Sequence, residues 1–156
     1  MKRTLCLIFE WLRWIVVIVA LQIGYINFQS IRDVFPLVSF LTVFAIAGLS
    51  GTESLFLSEE AQKLTGYKPS GYQRQCGLFF YALAVTALLV FTFQWGVESS
   101  LTVLILTLLF LLFSSINHLY SAKKEGTGKF RNIYLRFGGT MLLLGAYLPI
   151  LVKVLI

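Results

Sequence analysis

The stretch SSINHLYSAKKEGTGKFRN, residues 114–132, holds the only histidine of the chain, at the point where an apolar run breaks into a basic segment. An imidazole is the side chain best suited to exchange a proton near neutral pH, or to hydrogen-bond a carbonyl or hydroxyl while neutral. On a helix, Ser114, Asn117, His118 and Ser121 recur at i, i+3, i+4 and i+7 and form one stripe. Ser50, Glu53 and Ser54, at i, i+3 and i+4, form a second. A carboxylate and an imidazole brought together from two such helices can transfer a proton or hold a polar headgroup. Metal chemistry is not expected, since Cys6, Cys76, His118 and Glu53 supply no ligand-spaced pair such as Cys-x-x-Cys or His-x-x-x-His. No phosphate-binding loop, nucleophile elbow or dinucleotide fingerprint occurs, so no cofactor is implied, and a redox role would draw its electrons from a partner.

The elements that must position these residues follow from composition. Of 156 residues, 58% are hydrophobic and 13% charged, and the apolar residues come in long runs that a soluble domain of this size has no room to bury. The surrounding medium is therefore lipid. A hydrocarbon core about 30 Å thick takes roughly 20 apolar residues per helix, with every backbone group paired inside the segment. The sequence predicts an all-α polytopic bundle of five transmembrane helices at 11–28, 35–56, 77–95, 100–120 and 133–153. Residues 1–10 read as interfacial, with Glu10 and Arg13, one turn apart, pairing at the lipid surface and Trp11 and Trp14 in an aromatic belt. A cleaved signal peptide does not fit, because no small-residue cleavage site ends the first run.

Charge orients the bundle. With a cytoplasmic N-terminus, Lys2, Arg3, Arg13, Lys63, Lys68, Arg74, Lys123, Lys124, Lys129, Arg131 and Arg136 all fall inside, and only Arg32 and Lys153 fall outside. The positive-inside rule asks for that asymmetry, and it puts the C-terminus in the periplasm. The net charge of +6 is then a rim facing anionic lipid rather than a nucleic-acid groove, and Cys6 and Cys76 are reduced thiols on the cytoplasmic side.

The chain divides into 1–33, an interfacial segment with the first transmembrane helix, and 34–156, a four-helix bundle carrying an interfacial lid at 57–75. In the lid, Ser58 can cap a short helix, Glu59 and Glu60 complement its dipole, Gly66 can end it, and Leu57, Ala61 and Leu64 share one face. A solvated connector is the other reading of the same segment. Small residues at Ala47, Gly48 and Gly51, and at Gly138, Gly139 and Gly145, allow close helix approach in lipid.

Phe56, Gly66, Tyr67, Pro69, Gln73, Gly77, His118 and Tyr120 together resemble a pattern found in small bacterial membrane proteins related to the DoxX-like group. In that pattern a helix ends in aromatics, an interfacial segment ends in a Gly-aromatic-Pro turn and a Gln, the next helix opens with Gly, and a later one ends in His-x-Tyr. The resemblance covers roughly the last two thirds of the chain. It implies a four-helix core made of spans two to five with the first span added outside it, a bacterial inner-membrane location, and relatives linked to quinone-dependent oxidation or to sterol binding and isomerisation. The sequence departs from the pattern where Glu53 and Ser54 replace an expected Gly-His pair, which removes any activity that depended on that histidine.

In the proposed topology, both polar stripes lie at the cytoplasmic ends of their helices, level with Gln73 and Arg74 in span three and Arg136 in span five. Two accounts stand open. In one, Glu53 pairs with Arg74 or Arg136 while Asn117 and His118 satisfy helix ends. In the other, Glu53, Gln73, Arg74, Asn117, His118, Tyr120 and Arg136 line a cavity under the lid and hold the headgroup of a membrane lipid, quinone or isoprenoid. The functional readings are a lipophile-binding or accessory subunit, an enzyme acting on an isoprenoid or sterol-like lipid, and a structural partner of another membrane protein.

The charge asymmetry yields a direct test of topology. A reporter active only in the periplasm is silent when fused after Gly66 or Gly126 and active when fused after Ile156; a silent fusion after Ile156 removes one span from the arrangement.

Overall fold

The computed structural model of the chain describes residues 2–60, 71–125 and 130–156, and among these it is helical almost throughout, without a strand. The helices are α1 (Lys2–Ile26), α2 (Ile31–Val43), α3 (Leu49–Phe56), α4 (Gly71–Thr92), α5 (Val97–Glu125) and α6 (Phe130–Leu155). A 3₁₀ turn, Phe28–Ser30, joins α1 to α2, and a π-helical segment, Phe44–Gly48, joins α2 to α3 without interrupting the rod. Five stretches are long and apolar enough to cross a membrane: Thr4–Ile26, Phe28–Phe56, Gln73–Thr92, Val97–Lys124 and Arg136–Leu155. The protein is an all-α polytopic membrane bundle.

Each helix runs past the apolar run that predicts it, because capping and pairing of backbone groups continue into the polar flanks. The largest extension is at α1, which starts at Lys2 rather than following an interfacial segment, so that Glu10 and Arg13 lie inside the first span. Most of the expected lid at 57–75 lies outside the described residues. Of its ends, 58–60 are helical, and 71–75 already form the first turns of α4. Leu57 is buried; Ala61, Leu64, Gly66, Tyr67 and Pro69 lie outside the described residues.

The second span is the axis of the bundle. Half of its apolar window is buried, against 17 to 33% in the other four, and the α2 to α3 rod packs on α1, α4, α5 and α6. Phe35, Val38, Val43 and Ile46 on this axis meet Leu104 of α5 and Tyr147 and Ile150 of α6 in one core. The first span, expected outside a four-helix core, adds Val17 and Ala20 to this same core, and Gly24 lies against Ile150 and Ile31. Rings seal the α4 to α5 seam, where Phe79 and Phe80 pack on Phe110 with centroids 4.8 and 5.0 Å apart.

Polar side chains within the spans are satisfied locally, as lipid demands. Thr107 donates to the Val103 carbonyl at 2.8 Å, and Ser39 donates across to the Ser100 carbonyl of α5 at 2.8 Å. Thr42 donates to the Val38 carbonyl and bonds the Tyr147 hydroxyl at the centre of the bundle. The turn between α4 and α5 closes with Gln94 at φ 51° and Gly96 at φ 96°, the Trp95 N–H reaching back to the Val90 carbonyl at 3.1 Å.

The tightest backbone approach is between α3 and α4. A Cβ at Gly77 meets the Ser54 Cβ at 2.9 Å, and one at Gly51 meets the Tyr81 ring at 2.9 Å and the Gly77 carbonyl at 3.2 Å. At Gly138 nothing lies within 4 Å. Gly77→Ala therefore lowers detergent-solubilised stability by about 1–3 kcal/mol through overpacking, while Gly138→Ala leaves it unchanged or slightly raised; thermal melts of the two variants check the contrast.

Candidate functional site

The inward face of α1 carries Cys6, Arg13, Val17, Ala20 and Gly24, and near its Lys2 end this face meets α3. The Arg13 side chain is 15% exposed and its guanidinium is shared between two carboxylates. Nη1 donates to Glu10 Oε2 at 2.7 Å, and Nη2 donates to Glu53 Oε2 at 2.5 Å. Trp14 Nε1 donates to Glu10 Oε1 at 3.4 Å, which ties the network to the outer face of α1. Arg13 Nε is buried and has no hydrogen-bond partner among the described residues. The Cys6 thiol lies within electrostatic reach of Glu53 and Glu60.

Glu53 thus pairs with Arg13, and not with Arg74 or Arg136 as either helix-end position would suggest. Three physical causes combine. The helical start at Lys2 brings Glu10 into the span beside Arg13, which it can then pair with one turn away. Side chains tilt toward the N-terminus of their own helix, so Arg13 reaches toward the Lys2 end of the bundle while Glu53, on an antiparallel neighbour, reaches back from it. The π turn then adds one residue and rotates all of α3 by about 100° relative to a continuous helix, which sets the direction of Glu53 relative to the α2 face.

The remaining candidates separate into two groups. His118 is half-buried near the far end of α5 and lies within electrostatic reach of Arg136 on α6; Arg136, which is exposed, also reaches Glu53. Arg136 is thus within electrostatic reach of both His118 on α5 and Glu53 on α3. Gln73 is half-buried at the start of α4. Arg74 and Asn117 are exposed, and Tyr120 is exposed with the Lys124 ammonium 5.4 Å from its ring centroid. Among the described residues no three His, Cys, Asp or Glu side chains meet as a metal site.

A groove of about 510 Å³ opens between α1 and α6, and sequence reasoning did not find it. Trp14, Val17, Ile18 and Leu21 form one wall; Gly138, Gly139, Leu142 and Leu143 form the other, with Tyr134 at the end toward Arg136 and Ala146 at the opposite end. On either helix alone this face is an apolar stripe like any lipid-facing one. The available signal was the adjacent Gly138 and Gly139 opposite Trp14, whose ring comes within 3.4 Å of a Cβ placed at Gly139. Its upper end is continuous with the ion network through Trp14 and Glu10.

No family model, curated protein or solved structure matches this chain.

Because both side chains of the Arg13 to Glu53 pair are about 15% exposed, Glu53→Gln removes a charge-assisted bond in a largely dry setting and lowers stability by about 1–3 kcal/mol. Arg74→Gln changes the melting temperature little. A double-mutant cycle with Arg13→Gln gives a coupling of the same order for Glu53 and none for Arg74.

Proposed function

We propose that this chain is a five-span protein of the bacterial inner membrane, with a cytoplasmic N-terminus, that binds a small lipophile, a membrane lipid or a quinone, as a binding or accessory subunit. The observation that carries this reading is the apolar groove between α1 and α6, whose Tyr134 and Gly138 flank Arg136 in sequence, with His118 and Glu53 each within electrostatic reach of that arginine. Polar groups that can hold a headgroup and a carbon-lined slot that can hold a chain occur at the same end of the bundle, as a lipophile site requires. The excess of Lys and Arg at this end supports its cytoplasmic placement, and the resemblance to DoxX-like proteins supports the membrane and the ligand class.

Within this reading the roles divide. Glu53 is engaged by Arg13 and serves the packing of α1 on α3, and the reading assigns ligand contact to Arg136 together with His118. A neutral imidazole donates or accepts one hydrogen bond to a carbonyl or hydroxyl, and the guanidinium offers a fork of donors to an oxygen-rich headgroup. Enzymatic action on an isoprenoid or sterol-like lipid, with His118 as the proton-transferring group, is the second reading. An activity screen on the lipid that the protein retains separates it from simple binding.

The test is mass spectrometry of lipid retained through purification from native membranes. Loss of one ligand hydrogen bond is worth about 1 kcal/mol, so His118→Ala and Arg136→Gln each retain about fivefold less lipophile than wild type, while their melting temperatures after delipidation stay near it. Wild-type retention in His118→Ala sinks the reading and leaves His118 as the polar end of a helix.

A further inference from the structure

The two ends of the bundle differ in charge. In the sequence, the segments flanking the Glu53 side of the spans hold eleven Lys and Arg against Glu10, Glu53, Glu59, Glu60 and Glu125, a net +6, and those flanking the other side hold Arg32 and Lys153 against Asp33 and Glu98. The neutral end is internally paired, since Arg32 reaches Glu98 at 3.4 Å. At the Glu53 end Arg136 is exposed and forms no ion pair with a described residue, and the half-buried Glu53 within its electrostatic reach is held by Arg13. In sequence this cation lies between Tyr134 and Gly138, both of which line the groove.

The groove has a definite length. From Tyr134 to Ala146 is twelve residues of α6, about 18 Å of helix, a little over half of a hydrocarbon core about 30 Å thick. A chain lying in it belongs to the leaflet on the Arg136 side and ends near the membrane midplane. The absence of any atom within 4 Å of a Cβ at Gly138 shows that the groove floor is open there, and Leu142 beside it is 77% exposed.

Taking the lipophile site above as its basis, we propose that the α1 to α6 groove seats one hydrocarbon chain of an anionic phospholipid whose phosphate lies against Arg136. This extends the reading by naming the lipid class, the leaflet and the seat of the chain. A phosphodiester is the headgroup group that matches a planar guanidinium, and the field of the surrounding cations concentrates anionic over zwitterionic lipid at this end.

Native mass spectrometry of the purified full chain, delipidated and titrated with dioleoyl phosphatidylglycerol or dioleoyl phosphatidylcholine, reads the first bound lipid. Wild type favours phosphatidylglycerol by about fivefold, the scale expected for one cation at a membrane surface. Gly138→Leu fills the groove from its open floor and loses first-lipid binding for both lipids; Leu142→Trp, from an exposed position, does the same should Gly138→Leu fold poorly. In Arg136→Gln, phosphatidylglycerol binding falls about fivefold to the phosphatidylcholine level, so the two lipids bind equally. Wild-type phosphatidylglycerol binding in folded Gly138→Leu or Leu142→Trp overturns the seat in the groove, and an undiminished preference in Arg136→Gln overturns the phosphate contact. Failure of the underlying reading looks different: His118→Ala would then keep its native lipophile, whereas the titration with defined lipids depends on Gly138, Leu142 and Arg136 and leaves His118 untouched.

Discussion

A guanidinium placed among apolar helices has to be answered by carboxylates of the same chain, and the position of Arg13 between Glu10 and Glu53 governs how the first span sits on the second. Lipid offers no solvent to share the load, so the three groups must meet at a fixed height and angle. Once they do, α1 presents Val17 and Ala20 to the core and turns Trp14 and Ile18 toward α6. Glu53 is consumed by this contact. Arg136, exposed on α6, forms no ion pair with a described residue.

The rest of the interior follows the same demand by smaller means. Hydroxyls within the spans return to carbonyls of their own helix or to one partner, as Thr107 and Thr42 do, and thereby remain compatible with a dry core. Close backbone contact between Gly51 and Gly77 supplies the packing that hydrophobic burial cannot supply when the medium is itself apolar. The polar end and the apolar middle are thus held by different forces: charge pairs at one, glycine contacts and ring packing in the other.

Span number and fold class were readable because length and composition decide them; a run such as 100–120 has no soluble alternative. Helix ends were less so, since residues such as Lys2 and Gln73 are helical for reasons of backbone pairing that hydropathy does not register. The partner of Glu53 was hidden by depth reasoning. Arg74 and Arg136 both stand near the starts of their helices, whereas Arg13 reaches Glu53 through opposed side-chain tilt and a turn of π-helix. The convergence of His118 with Arg136 was visible as two helix ends at one level. The groove was not, because an unfilled space between Trp14 and Gly138 belongs to neither helix by itself.

The π turn at Phe44–Gly48 keeps every backbone group within the helical rod, yet it counts one residue more than an α turn would. The angular offset between the hydroxyl layer of α2 and the carboxylate of α3 is consequently stored as a number of residues and not in the identity of any one of them. Side-chain exchanges along Phe44–Gly48 can leave that offset intact, while a deletion of a single codon there would restore a regular helix and swing Glu53 about 100° away from Arg13. In this protein the alignment of two chemical layers is a property of chain length, read by the helix as rotation.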